Sequence, residues 1–238
     1  MRNRQSNRHR VSTFQEYLKQ IVYGGNDGIV TTFAIVAGFA GAGADGAAQI
    51  GAVAVLLFGI ANLLADATAM GLGEFLSARS QQDVYNATHE SEISAISRNP
   101  DEGRSAMMSN LASRGVSDQD AAQLTDVMLR NPDFMADFRM QYELGMPNPS
   151  SSSATMNGLF TFGAFLIWGA VPLIPYFLFA PTQSTFCISV SAALAALTSL
   201  GLLRWKVTNE SMLRCVGETV LVGGICALVA FGVGMIFR

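Results

Sequence analysis

Hydrophobic residues in this chain are gathered into long runs from which basic residues are excluded. No Lys or Arg occurs in 20–78, in 140–203 or in 215–237. About 20 consecutive apolar residues are enough for one helix to cross a bilayer. The runs therefore predict five membrane-spanning helices, at 21–41, 50–77, 155–179, 184–203 and 216–237.

Polar or soft side chains recur at every fourth position within the second run, at Asn62, Asp66, Met70 and Glu74. A four-residue step drifts by only about 40° on a helix of 3.6 residues per turn, so the four side chains share one face. Ionisable groups inside a membrane helix are costly and generally face a pathway or a partner. Because a thioether lies between two carboxylates, the stripe indicates a path for a transition metal.

Composition and charge support a membrane protein. Hydrophobic residues make up 50% of the chain and charged residues only 14%, which is unlike a soluble domain. If the N-terminus is cytosolic, all fifteen Lys and Arg residues except Arg238 fall on the cytosolic side, as the positive-inside rule requires. The C-terminus then lies outside the cell or in a lumen.

The predicted fold is an all-α integral membrane protein with five transmembrane helices and a cytosolic helical domain between helices 2 and 3. Its parts are a basic cytosolic arm at 1–20, helices 1 and 2 in 21–78, the cytosolic domain in 79–150, and helices 3 to 5 in 151–238. Contact with lipid headgroups suits the basic arm better than nucleic-acid binding does. In the cytosolic domain, Asn99-Pro100, Ser117 and Asn131-Pro132 predict three helix starts.

Carboxylates from three different spans are predicted near the cytosolic edge of the membrane: Asp27, Glu74 and Glu218. Asp66 lies two turns deeper than Glu74, and Met70 lies between them. These levels predict an acidic vestibule that leads to a methionine, although spacing alone does not establish that the three spans touch.

The same residues suggest a chemistry. Carboxylates that share a low-dielectric cavity bind either protons or a divalent cation, and Met70 favours iron or manganese over magnesium and calcium. Asn26 adjoins Asp27 between glycines, which weaken a helix where a ligand would need oxygen atoms. The role of Asp66 stays open between a metal ligand, a proton acceptor and a structural residue.

Two segments resemble signatures of the vacuolar iron transporter family: 23–33, YGGNDGIVTTF, in the first span and 69–77, AMGLGEFLS, in the second. The segment 138–145 is similar to the end of that family's cytosolic domain. The resemblance implies export of divalent iron, often also manganese, from the cytosol to a vacuole or the cell exterior. It further implies proton antiport and a homodimer with the path between protomers. Asp27 and Met70 then become transport-site ligands, with Glu74 as the adjacent carboxylate.

Some residues depart from the family pattern. The family's cytosolic domain binds metal through Glu pairs, and the matching candidates here are Glu92, Glu102 and Glu143. Ser105 stands where a second Glu is expected, and Arg139 stands one turn before Glu143, where the family tends to have Met. Because a guanidinium repels a metal cation, these departures imply a cytosolic site that is weakened or lost. Asp66 also departs, since the family usually has a small residue there.

Two functions follow as hypotheses. The first is a proton-coupled exporter of Fe²⁺, with Mn²⁺ as a second candidate cargo. The alternative is a membrane-anchored metal-binding or regulatory scaffold of the same family with weakened or lost transport. The sequence shows no nucleophile–base pair or phosphate loop, so neither an enzyme nor a permanently bound cofactor is expected. The expected partners are divalent metal ions, protons, lipids and a second copy of the chain, in a bacterial plasma membrane or a vacuolar membrane.

Overall fold

A computed structural model describes residues 16–41, 48–149, 153–180, 182–208 and 210–236, and these residues form helices joined by turns. Most of the basic arm predicted at 1–20 lies outside the described residues. The helices, numbered in chain order, are α1 Leu18–Gly41, α2 Ala48–Arg98, α3 Pro100–Ser113, α4 Asp118–Leu129, α5 Pro132–Tyr142, α6 Ala154–Ala170, α7 Ile174–Leu178, α8 Gln183–Thr208 and α9 Met212–Ile236, with a 3₁₀ turn at Val171–Leu173.

The chain divides into two compact units. One unit comprises Met1–Phe75 together with Ala154–Arg238, and the other comprises Leu76–Ser153. Helix α2 contributes its first half to one unit and its second half to the other.

Helix α1 lies at the centre of the first unit and packs against α6, α8 and α9. Ile29 and Val36 of α1 are almost fully buried, as are Phe165 of α6 and Leu200 of α8. Gly28 permits the closest approach, because a Cβ atom built there would lie 2.5 Å from the main-chain oxygen of Phe165. Small residues of this kind let membrane helices pack backbone against backbone.

Four helical stretches are long and apolar enough to cross a membrane within the described residues: Val53–Arg98, Ala154–Leu178, Gln183–Thr208 and Met212–Ile236. Helix α1 is not among the four, so the predicted span at 21–41 stays a prediction. Asn26 and Asp27 lower the mean hydropathy of α1. A helix that is enclosed by other helices does not need a uniformly apolar surface, because little of its surface would meet lipid.

The second unit has its own small core. Met107, Met135 and Ala136 are completely buried there, together with Leu111 and Met128. Three helices begin where the sequence predicts them, at Pro100, Asp118 and Pro132.

The capping of these helices differs in part from expectation. Ser117 caps α4, since its Oγ accepts from the main-chain N–H of Asp120 at 3.2 Å. The expected cap at Asn99 is absent, because its side chain donates to Glu102 Oε2 at 2.9 Å instead. Asn131 likewise donates to the main-chain oxygen of Val127 at 2.8 Å. In both helices the proline at the first turn removes one unsatisfied N–H group, so a side-chain cap is less needed.

Candidate metal site

The four-residue stripe on α2 lies at the edge of the helix's buried face. Asn62, Asp66, Met70 and Glu74 are all half-buried. The positions that follow the first three of them, 63, 67 and 71, are buried, whereas the positions that precede all four, 61, 65, 69 and 73, are exposed. Met70 packs against the core of the first unit. The stripe is therefore neither fully enclosed in one copy of the chain nor fully open.

Two stripe residues bond to each other along α2. The Nδ2 of Asn62 donates to Asp66 Oδ2 at 2.6 Å. This bond orients the Asp66 carboxylate through one of its two oxygens. An amide that donates to a carboxylate is a common way to hold a metal-binding carboxylate in place.

Helix α1 faces the stripe at two levels. Gln20 Nε2 donates to Glu74 Oε1 at 3.1 Å. Asp27 lies within range of direct electrostatic interaction with Asp66. The residue numbers in each pair add up to nearly the same value, which is the register of two antiparallel helices.

Met70 falls between these two levels. It is four residues from Asp66 and four from Glu74, or about 6 Å along the helix axis from each. The first unit thus brings two carboxylates, one thioether and a third carboxylate to facing positions on α1 and α2. Within the described part of the chain, no group of three or more His, Cys, Asp or Glu side chains is arranged to hold a metal ion. The acidic groups are instead spread along α1 and α2.

Glu218 has different neighbours. Its two carboxylate oxygens accept from Arg204 Nη1 at 2.7 Å and Arg214 Nε at 3.0 Å. Its position in the sequence predicts that Glu218 is level with Asp27 and Glu74, but depth does not fix the direction in which a side chain points. The two arginines neutralise Glu218, so it is less available to a metal cation than an unpaired carboxylate is.

Asn26 lies on a different side of α1 from Asp27. It lines an open cavity of about 810 Å³ between α1, α8 and α9, together with Arg204 and Glu218. Its Oδ1 is buried and has no hydrogen-bond partner among the described residues. Successive residues on a helix project about 100° apart, which explains why the predicted Asn-Asp pair does not converge on one point.

The second unit places Arg139 between two of the predicted cytosolic ligands. Arg139 Nε donates to Glu143 Oε2 at 2.9 Å. Its Nη1 lies 2.7 Å from Glu92 Oε2, which is an ion-pair distance, although the pair is not aligned as a hydrogen bond. All three side chains are about 20% exposed. The guanidinium occupies the space where a cation would have to bind both carboxylates.

Glu102 does not join that cluster. It is exposed at the start of α3, where its Oε2 accepts from Asn99 at 2.9 Å. Its position in the first turn of a helix favours an acidic side chain for structural reasons.

Gln20 is the contact residue that sequence reasoning missed. A signal was present, since Gln20 precedes Asp27 by seven residues and therefore shares its face on α1. Gln20 stands at the edge of an apolar run, where polar residues are common at the end of a membrane helix, so its type alone does not indicate a site.

Comparison with known proteins connects this geometry to a family. The sequence profile of the VIT family matches residues 18–235. The chain is 31% identical over 220 residues to "Vacuolar iron transporter 1" of Eucalyptus grandis, covering 92% of this chain and 86% of the relative. It is 31% identical over 219 residues to the protein of the same name from Arabidopsis thaliana, covering 92% and 85% of the two chains. It is 30% identical over 233 residues to "Vacuolar iron transporter" of Plasmodium falciparum (isolate 3D7), covering 94% and 83%.

Proposed function

Since this chain belongs to the VIT family, we propose that it is a multi-pass membrane transporter that moves Fe²⁺ out of the cytosol in exchange for protons. Mn²⁺ is the second cargo that the same ligand chemistry would accept. The printed names of the relatives support iron as the cargo and a transporter rather than an enzyme. No permanently bound cofactor is needed, because the metal is the substrate.

The observation that carries this proposal is the placement of Asp27 on α1 and Asp66 on α2 within electrostatic range of each other. The Gln20–Glu74 hydrogen bond sets the same two helices against each other, and Met70 lies one turn from Asp66. Two carboxylates held close together in a low-dielectric site bind protons or a divalent cation in competition. One set of groups can therefore exchange metal for protons without a separate proton site. The thioether of Met70 favours Fe²⁺ and Mn²⁺ over the harder Mg²⁺ and Ca²⁺.

The proposed topology has five crossings, with the N-terminus and the second unit in the cytosol. Four crossings meet the requirements of length and apolarity, and α1 would be the fifth. Its place between α6, α8 and α9 supports this assignment, since those three helices shield it from lipid. The Gln20–Glu74 pair then lies at the cytosolic end of the path and the Asp27–Asp66 pair lies deeper.

A homodimer completes the proposal. One copy supplies two carboxylates at the deeper level and a thioether one turn away, which is fewer ligands than a divalent cation usually takes. The stripe on α2 borders the exposed face of that helix, so a second copy could add the missing ligands.

A second candidate function is a metal-binding or regulatory scaffold of the same family that has lost transport. The observation in its favour is Arg139, which neutralises Glu92 and Glu143 in the second unit. On either function, we expect metal capture by that unit to be weak.

Metal uptake into vesicles distinguishes the two functions. Purified protein reconstituted in liposomes with an acidic interior should accumulate Fe²⁺ under anaerobic conditions, and dissipating the pH gradient should reduce uptake sharply. Asp27→Asn should lower the rate by at least about tenfold, because it removes a ligand and a proton acceptor. Asp83→Asn, at an exposed position on α2, is the matched control and should match wild type. Uptake that is equal with and without the pH gradient would rule out antiport. Absence of uptake by well-folded wild type would favour the scaffold.

A further inference from the structure

Gln20 is a buried amide that uses its nitrogen but not its oxygen in hydrogen bonds among the described residues. Its side chain sits on α1 with the residue only 8% exposed. Its Nε2 donates to Glu74, but its Oε1 is buried and has no hydrogen-bond partner among the described residues. Buried polar atoms without a partner are rare in folded proteins and call for an explanation, such as a bound water or ion.

The position of Gln20 relates it to the metal path. It lies two turns before Asp27 on the same face of α1, and its partner Glu74 lies two turns after Asp66 on α2. The Gln20–Glu74 contact is therefore about 10–12 Å along the helices from the Asp27–Asp66 pair. Met70 lies between the two contacts, so the four polar positions and the thioether form one continuous track.

We propose that Gln20 is a cation-handling residue at the end of this track, where it serves Glu74 in two ways. Without a cation, its Nε2 holds the Glu74 carboxylate in place. When a divalent cation binds Glu74, the amide turns so that Oε1 becomes a second oxygen ligand. This inference rests on the proposed function of the chain as a metal transporter.

The chemistry of an amide fits both roles. The terminal torsion of a glutamine side chain is broad and nearly two-fold, so its N and O atoms exchange places without main-chain movement. An N–H group suits a bare carboxylate, and a carbonyl oxygen suits Fe²⁺ or Mn²⁺ beside that carboxylate.

The neutral charge of the amide matters as well. A second carboxylate at this place would bind a divalent cation more tightly and slow its onward movement. A neutral oxygen adds a ligand and no net charge, so it assists entry and allows release. Metal-site partners of this kind typically change metal affinity by about 10–100-fold when they are removed.

Equilibrium binding of Mn²⁺ to the purified full-length chain tests the inference without any need for transport. Gln20→Leu keeps much of the volume but removes both the donor and the acceptor, and should raise the Kd for Mn²⁺ by about tenfold or more. Gln20→Glu keeps an oxygen in the same place and should bind Mn²⁺ within about threefold of wild type, or more tightly. Gln81→Leu, at an exposed glutamine on α2, is the matched control and should leave the Kd unchanged.

Two results would overturn the inference. One is a Gln20→Leu variant that binds Mn²⁺ as wild type does. The other is a Gln20→Glu variant that is as impaired as Gln20→Leu, because a purely structural role for the amide predicts that a buried charge is harmful. Melting temperatures of all variants establish whether each is folded.

These measurements distinguish failure of this inference from failure of the proposed function. If wild type binds Mn²⁺ but does not transport metal, the proposed function is contradicted. The effect of Gln20→Leu on Mn²⁺ binding can still be interpreted. Wild type that transports metal while Gln20→Leu binds normally would remove this inference alone. Wild type that binds neither Mn²⁺ nor, under anaerobic conditions, Fe²⁺ would contradict both.

Discussion

Arginine side chains decide which of the acidic residues in this chain remain available to a cation. Glu218 is held by Arg204 and Arg214. In the second unit, Arg139 forms ion pairs with two carboxylates, those of Glu92 and Glu143. Such a fixed internal cation neutralises acidic groups permanently, whereas a metal ion would neutralise them reversibly. The carboxylates of the α1–α2 track have no such arginine partner among the described residues.

Replacement of Arg139 tests this idea. Arg139→Met removes the cation between two half-buried carboxylates, and should lower the free energy of unfolding by about 1–3 kcal/mol at neutral pH. Thermal unfolding of the full-length protein would show the loss as a lower melting temperature. Added Mn²⁺ should raise the melting temperature of the variant by more than it raises that of wild type. The reason is that the freed carboxylates can bind the metal in the folded state.

Arg130→Met is the control, since Arg130 is exposed and no side-chain ion pair to it is found in the described part of the chain. It should melt as wild type does. A variant at Arg139 that is as stable as wild type, with no added response to Mn²⁺, would show that the guanidinium does not take the place of a metal.

The residue scale also shows what spacing can and cannot predict. The shared face of Asn62, Asp66, Met70 and Glu74 follows from helix geometry alone, and the structure has all four at one edge of the buried face of α2. Depth in the membrane, by contrast, fixes only the level of a side chain. It does not reveal that Glu218 pairs with Arg204, because that pair depends on how α8 and α9 pack. The second partner, Arg214, lies four residues before Glu218 on α9, so that pair is predictable from spacing.

Among the helices, α1 has a polar sequence for a helix that is packed between other helices. It carries several polar residues and glycines, yet it packs against three other helices. Its glycines explain its central position, since they allow close approach to its neighbours. The hydrophobic pattern predicts a helix at this place, but it cannot predict that this helix is the central one, because centrality depends on contacts with distant residues.

Gly28 offers a test of that packing. A Cβ atom there would clash with the main-chain oxygen of Phe165 at 2.5 Å, so Gly28→Ala must push α1 from α6. The variant should lose about 1–3 kcal/mol of stability and should also transport metal more slowly, because Asp27 is the adjacent residue. Melting temperature and vesicle uptake measure the two effects.

Gly163→Ala on α6 is the matched substitution, since nothing lies within 4 Å of its added Cβ atom. It should leave the melting temperature unchanged or raise it slightly, as alanine favours a helix more than glycine does. Equal loss in both variants would mean that the close contact between Gly28 and Phe165 is not the cause of the loss.

For the molecule as a whole, the two units differ in the polarity of their surfaces. The first unit exposes many large apolar side chains, among them Leu213, Leu228 and Ile236 at 75–88% exposure. An exposed apolar surface of this extent suits lipid and a second copy of the chain better than water. The second unit has a small core rich in methionine and a polar exterior. The long runs without basic residues predict this contrast, since they exclude 79–139 from the membrane-spanning parts.

Proton release on metal binding is the most direct test of the central claim that protons and a divalent cation compete for the same carboxylates. Calorimetric titration with Mn²⁺, repeated in two buffers that differ in ionisation enthalpy, measures the protons released per metal bound. Wild type should release protons, and its Mn²⁺ affinity should rise with pH. The double variant Asp27→Asn/Asp66→Asn should lose most of both effects. A double variant that binds Mn²⁺ with wild-type affinity and wild-type proton release would contradict the account.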